Sequence, residues 1–344
     1  MPRDSGDNSP SVSLRQRVLS PYTLLSLVVA VAFLYFLAVR FDLDWEQTWS
    51  NIKGLDPVLY ALGLLLYYLS FVFRGVRWRI LSRSAGIEEI ADARTPSVWR
   101  YSQLIVVGWF VNSVAWLRLG DAYRAYALSD EARTGFSWSL GTIFGERVMD
   151  MITVFVLIVV GALAFSVTAD VSGTVYVVGA AFVMALALIG VLVVMRGYGQ
   201  RWARFLPDRL ESAYRRFHDG ALGSFGQLRV PFLLSFVGWI LEVGRLYFVV
   251  QALDFDVSLS LILIAALGHA LLSTVPTPGG VGAVEPGVTG LLVLGMARHD
   301  AASVALVDRS ITYLSIIVIG GLVFLAWNLT RSRRKSERVR AAEE

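Results

Sequence analysis

Residues 137 to 165 form a strongly apolar run that nevertheless carries Glu146, Arg147 and Asp150, with Thr142 and Thr153 extending a polar stripe. At three- and four-residue spacing, Asp150 lies beside both Glu146 and Arg147 on one face of a helix. Placing an ionised group at the centre of a membrane helix costs about 2.5 to 3.5 kcal/mol, so three cost roughly 7 to 10. The 14 Leu, Ile, Val and Phe residues of the run return only about 4 to 8 kcal/mol on the same scale. The stripe must therefore face a polar interior rather than lipid. Three other features supply partners: Glu242 with Arg245, Asp308 and Arg309 with Thr312, and Glu285. Such groups serve either as structural ion pairs or as the lining of a transport path, and intramembrane charges point to function by default. Among these residues the acids (Glu146, Asp150, Glu242, Glu285, Asp308) outnumber Arg147, Arg245 and Arg309, a balance that accommodates a cationic headgroup or proton coupling.

Two other stretches combine polar side chains with helix-breaking residues. Pro276-Thr277-Pro278-Gly279-Gly280-Val281-Gly282-Ala283-Val284-Glu285 interrupts any helix, frees backbone donors and acceptors, and allows another backbone or a headgroup to approach closely. Its counterpart runs from Asn112 to Arg124, with Arg118, Leu119, Gly120 and Asp121 at its centre. Asn112 can satisfy broken backbone, and Arg118 and Arg124 are placed to receive a phosphate, although arginines near a helix end also snorkel to the interface without any ligand. In a transport path, Arg118 and Arg124 would act as donors at an inner mouth and Glu285 as the acceptor at an outer one.

The elements that hold these residues are set by composition. Of 344 residues, 56% are hydrophobic and 17% charged, with a mean hydropathy of +0.60; soluble domains carry about 25% charge, so a soluble globule is excluded. Apolar runs near 22–40, 57–75, 137–165, 174–195, 230–250 and 304–328 match the length a helix needs to cross a bilayer. Basic residues cluster in 1–21, 74–100, 118–136, 196–229 and the tail, which together hold 25 of the 31 Lys and Arg. The positive-inside rule makes these segments cytoplasmic, and 41–56, 166–173 and 251–260 external. Residues 101–128 then enter and leave on the inner side, and 259–297 on the outer side. The expected architecture is an all-α polytopic membrane protein with about six full spans, two re-entrant helical hairpins and an inverted repeat, both termini being cytoplasmic in the cell's inner membrane. The chain divides into a tail (1–21), one membrane domain (22–328) and a basic tail (329–344). Nine or ten ordinary spans are the competing arrangement, with poorer charge placement.

Other chemistries find little support. Cysteine is absent and His218, His269 and His299 are too dispersed for a helical ligand pair, so neither metal nor cofactor is expected. The first span is long and lacks a small-residue cleavage site after it, as for an uncleaved anchor. Residues 206–221 read as an amphipathic interfacial helix, with Leu206, Leu210, Ala213, Phe217 and Ala221 on one face and Gly220 as its stop. No H-E-x-x-H or G-x-S-x-G signature is present, so an intramembrane enzyme using Asp150 and Asp308 as an acid pair is the weakest reading.

The order of these features resembles the integral-membrane flippase region of lysylphosphatidylglycerol synthases, which also occurs as stand-alone membrane proteins. The matching pieces are Arg74-Gly75-Val76-Arg77-Trp78-Arg79, Asn112 with Arg118-Leu119-Gly120-Asp121 and Arg124, Glu146-Arg147 with Asp150, the Pro-x-Pro-Gly-Gly-x-Gly-x-x-Glu run at 276–285, and Arg309 with Tyr313. The resemblance implies two re-entrant hairpins and movement of lipid between leaflets. Ala115-Trp116 departs from relatives that often have proline there. The soluble aminoacyl-transferase domain has no counterpart, so lysyl transfer is not expected. The expected activity is thus flippase-like transport of a polar or charged lipid headgroup, with no enzymatic step. The expected partner is a membrane lipid and not nucleic acid, and oligomers are compatible with the sequence. The alternative is a non-catalytic membrane partner of a glycosyltransferase that handles a polyprenyl-linked or glycolipid substrate.

Overall fold

A computed structural model describes residues 45–90, 93–166 and 174–329, and the regular elements among them are all helical. In chain order they are α1 (Trp45–Lys53), α2 (Pro57–Ser84), α3 (Val98–Val114), α4 (Gly120–Ala132), α5 (Phe136–Ser166), α6 (Thr174–Ala203), α7 (Asp208–Gly223), α8 (Arg229–Ala252), α9 (Leu259–Leu272), α10 (Val284–Leu292) and α11, which begins at Arg298–Arg309. The expected span at 22–40, the 1–21 tail and all but Leu329 of the basic tail lie outside the described residues. By length and composition, α2, α8 and the Arg298–Leu329 run are long and apolar enough to cross a membrane.

Local chemistry fixes several of the helix starts. Asp56 accepts hydrogen bonds from the Val58 and Leu59 amides ahead of Pro57 at the first position of α2, an arrangement in which the missing proline N–H costs nothing. Ser97 caps α3 and Ser258 caps α9 in the same way. Sequence reading ends the second span at residue 75, where arginines begin. The helix instead continues to Ser84, because Arg74 and Arg77 are buried and neutralised by acids from other helices.

Both helix-breaking stretches do break their helices, giving two helix–break–helix units, α3–α4 and α9–α10. Between α3 and α4, Leu117 and Arg118 take left-handed φ angles of 61° and 52°. Non-glycine residues rarely do so, and such strain gathers at functional sites. Asn112 satisfies the break by accepting the Gly120 amide at 2.8 Å. Between α9 and α10, Gly279, Gly280 and Gly282 have φ of 58°, 70° and 93°, and the Gly282 amide donates to Glu285 at 2.8 Å. The two breaks touch each other. The Leu117 amide donates to the Pro276 carbonyl at 3.4 Å, and Arg118 donates to the Ser273 carbonyl.

Packing ties these units together. α8 lies along α2, and one apolar core joins Tyr67 and Trp78 of α2, Tyr101 of α3, Leu128 of α4, Ile264 of α9 and Val304 of α11. The amphipathic helix α7 forms, but Gly220 does not stop it. The helix runs to Gly223, with Gly220 buried where a Cβ would collide with the Trp138 carbonyl of α5, so this glycine permits close helix packing. A further departure from an ordinary span is the π-helical stretch Ser310–Gly320 inside the last long helix. Such wide turns are rare and concentrate at functional sites.

Candidate functional site

The charged side chains of six helices meet in one buried lattice. Arg77 of α2 reaches α5, giving a two-pronged contact to Asp150 (2.5 and 3.1 Å) and lying 3.4 Å from Glu146; it also donates to Ser235 of α8 at 2.7 Å. Arg124 of α4 makes a second fork onto Glu146 (3.3 and 2.8 Å) and stacks 4.3 Å above the Trp78 ring. Arg147 turns the other way and grips Asp121 of α4 at 3.1 and 2.7 Å. Planar guanidinium forks suit carboxylates in this fashion, and pairing is what makes burial of both charges tolerable.

The lattice extends into α8 and α11. Glu242 lies 3.3 Å from Arg74 and 3.2 Å from Arg245. Arg74 is held between the rings of Trp109 and Trp239, at 5.5 and 4.9 Å. Asp308 contacts Arg245 and stands 2.9 Å from His269. Arg309 sits 4.6 Å over Tyr313, its Nε 2.8 Å from Glu285 without the alignment of a hydrogen bond.

In front of the lattice lies a cavity of about 380 Å³. Arg74, Arg118, Arg147, Arg245 and Arg309 line it, against the acids Asp121 and Glu242; Asn112, Ser113, Ser273, Thr274 and Thr312 add hydroxyl and amide groups. Met151, Ala187, Leu188, Ala266 and Ala270 contribute apolar lining. The volume falls in the usual range of small-molecule sites, as does the combination of apolar walls with a few directed polar groups.

Sequence comparison places this geometry in a family. The profile of the lysylphosphatidylglycerol synthase TM region matches residues 23–320. The chain belongs to that family. It is 29% identical over 223 residues to a UPF0104 membrane protein of Methanocaldococcus jannaschii, covering 62% of this chain and 93% of the relative. A UPF0104 membrane protein of Methanothermobacter thermautotrophicus is 24% identical over 303 residues, 78% of this chain and 85% of that one. The chain is also 24% identical to glycosyltransferase AglD of Haloferax volcanii, over 97% of its own length and 58% of that protein's. The protein is therefore a multi-pass membrane protein of this family.

The structure separates the residues singled out from sequence into three groups. Asn112, Arg118, Arg147, Arg309 and Gly279 line the cavity. Arg124, Glu146, Asp150, Asp308 and Glu285 stand behind its wall as partners in the lattice, and Pro276, Pro278, Gly280 and Gly282 shape the second break. Arg124 is fully buried on Trp78 and Glu146, so it is not the open donor at a mouth that its place in the sequence suggests. Glu285 is likewise engaged by Arg309 and the Gly282 amide. The expected excess of acid is also corrected. Arg74, Arg77, Arg118 and Arg124, read from sequence as charges of loop or hairpin segments, fold into the interior, and the cavity wall is predominantly cationic. The sequence marks Asp121 as part of the inner motif but not as an ion-pair partner in the site, and it does not mark His269, Trp109 or Trp239. Asp121 carried a signal: it stands three residues before Arg124, within reach on the same helix face.

Proposed function

We propose that the protein is a lipid transporter that passes a polar headgroup through the arginine-lined cavity while the acyl chains stay in the bilayer. The observation that carries this reading is the position of the cavity at the junction of two touching helix breaks. Irregular backbone at membrane depth is tolerated where it lines a cavity, and paired broken helices are a recurring frame for alternating access. The cavity's mixed lining supports a lipid: charged donors stand beside Met151 and small or branched aliphatic groups. Asn112, Arg118, Arg147 and Arg309 would meet the headgroup. Glu146, Asp150, Glu285 and Asp308, with Arg124, would hold the wall. The reaction is movement, with no bond made or broken.

In this reading α3–α4 and α9–α10 are re-entrant hairpins entering from opposite faces between six full spans, as an inverted repeat in the cell membrane. The seven arginines of 196–229 and the six basic residues of 331–340 set both termini on the cytoplasmic side. Purified protein in liposomes with headgroup-labelled lipids tests the activity: bleaching from outside should reach inner-leaflet label faster than in empty liposomes.

A second reading rests on the similarity to glycosyltransferase AglD: the protein would hold a lipid-linked substrate for a separate glycosyltransferase. A panel of anionic, zwitterionic, cationic and polyprenyl lipids that never exceeds the empty-liposome rate would favour it.

A further inference from the structure

The lattice is balanced except at one residue. Arg74, Arg77, Arg124, Arg147, Arg245 and Arg309 each lie within 4.0 Å of a carboxylate oxygen. The six acids they share, Asp121, Glu146, Asp150, Glu242, Glu285 and Asp308, are all engaged in those contacts. Arg118 lines the same cavity and forms no such ion pair; its guanidinium donates only to the Ser273 carbonyl of the facing break. One positive charge is left over, on the strained turn between α3 and α4. Arg74 and Arg309 line the same cavity as Arg118. Guanidinium nitrogens only donate, so what completes them must accept.

We propose that the ligand is the phosphate of an anionic headgroup that carries no compensating ammonium, seated against Arg118 and completed by Arg74 and Arg309. The inference rests on the transport reading for its lipid source but not for its chemistry. A phosphate ester anion supplies the charge that the surplus calls for, one unit as the diester of phosphatidylglycerol and up to two as a polyprenyl phosphate monoester, and its oxygens accept from planar guanidinium donors. An ammonium headgroup would find every acid of the lattice already engaged and would meet a wall of arginines. A zwitterionic or aminoacylated headgroup is therefore disfavoured by the part that distinguishes it.

The test uses the full-length protein in phosphatidylcholine nanodiscs doped with equal fractions of phosphatidylglycerol, a polyprenyl phosphate, phosphatidylethanolamine or lysyl-phosphatidylglycerol, with bound lipid read by native mass spectrometry. The two anionic lipids should be retained about tenfold or more over the other two, the worth of one charge-assisted contact. Arg118→Gln should erase the preference and Arg118→Lys should keep part of it, with thermal unfolding showing both variants folded. Equal or greater retention of phosphatidylethanolamine or lysyl-phosphatidylglycerol overturns the proposal, as does an unchanged preference in folded Arg118→Gln. Inorganic phosphate is the second arm: stabilisation by phosphate alone, lost in Arg118→Gln, with no phospholipid retained, supports the phosphate chemistry and removes the lipid source. Translocation in liposomes separates the two readings. Selective retention without translocation leaves this inference standing and rejects transport. Translocation that ignores headgroup charge rejects this inference and leaves transport standing.

Discussion

Arg77 and Arg147 show how differently two intramembrane arginines are used. Arg77 is almost wholly buried and bridges Asp150, Glu146 and Ser235 across three helices, whereas Arg147 stands at the cavity wall, its side chain 23% exposed, and grips Asp121. Removing one partner of a dry pair strands the other charge, at a cost of about 3–5 kcal/mol. Arg77→Ala should therefore destabilise the purified protein by about that amount, and Arg147→Ala by clearly less. Thermal or denaturant unfolding in detergent checks the order, and the Arg77→Ala/Asp150→Ala double variant should recover part of the loss. Equal losses for the two single variants would mean that Arg77 is not the deeper anchor. The Glu146, Arg147 and Asp150 stripe was readable from helical spacing and insertion cost, because an apolar helix cannot hide three charges in lipid. Its partners were harder to read. Arg74 and Arg77 follow a long apolar run, and hydropathy alone cannot distinguish a basic loop from a helix whose arginines are neutralised from across the fold.

At the scale of elements, the two breaks depend on positions where side chains do not fit. A Cβ on Gly279 would strike the Tyr313 ring, and one on Gly280 would come within 2.9 Å of the Ser273 Cα; both glycines have positive φ. Gly279→Val or Gly280→Val should thus impair transport and lower stability, since the strain in φ adds to the collision. Gly290→Ala in α10 serves as the control: its Cβ would meet nothing within 4 Å, so the variant should match the wild type in liposome transport and melting temperature. The proposed hairpins also set sidedness. In this cysteine-free chain, a cysteine at position 130 should label from the same side as one at 212, and from the side opposite one at 254. Labelling of 130 from the side of 254 would replace the re-entrant α3–α4 unit with a crossing. The second break was plain in the Pro-x-Pro-Gly-Gly run. The first was less so, as it depends on Leu117 and Arg118 holding left-handed backbone, which their residue types do not announce. The π-helical turn at Ser310–Gly320 had no sequence signal, for its residues read as an ordinary apolar helix.

For the whole molecule, an apolar helical bundle surrounds charges that pair across α2, α4, α5, α8 and α11, and leaves a cavity where the two breaks meet. The membrane class followed from composition alone, but the sign of the cavity did not, because it depends on which charges the fold buries behind the wall and which it leaves facing the space. If lipid headgroups pass through this space, obstructing it stops transport. Ala270 lines the cavity, and Ala270→Trp would put an indole into that space while leaving every ion-pairing residue in the sequence. In proteoliposomes carrying headgroup-labelled phosphatidylglycerol, the wild type should translocate lipid well above the empty-liposome rate, and folded Ala270→Trp should fall to that background. A folded Ala270→Trp that translocates at the wild-type rate would contradict passage through the cavity, because lipid would then be crossing by another route.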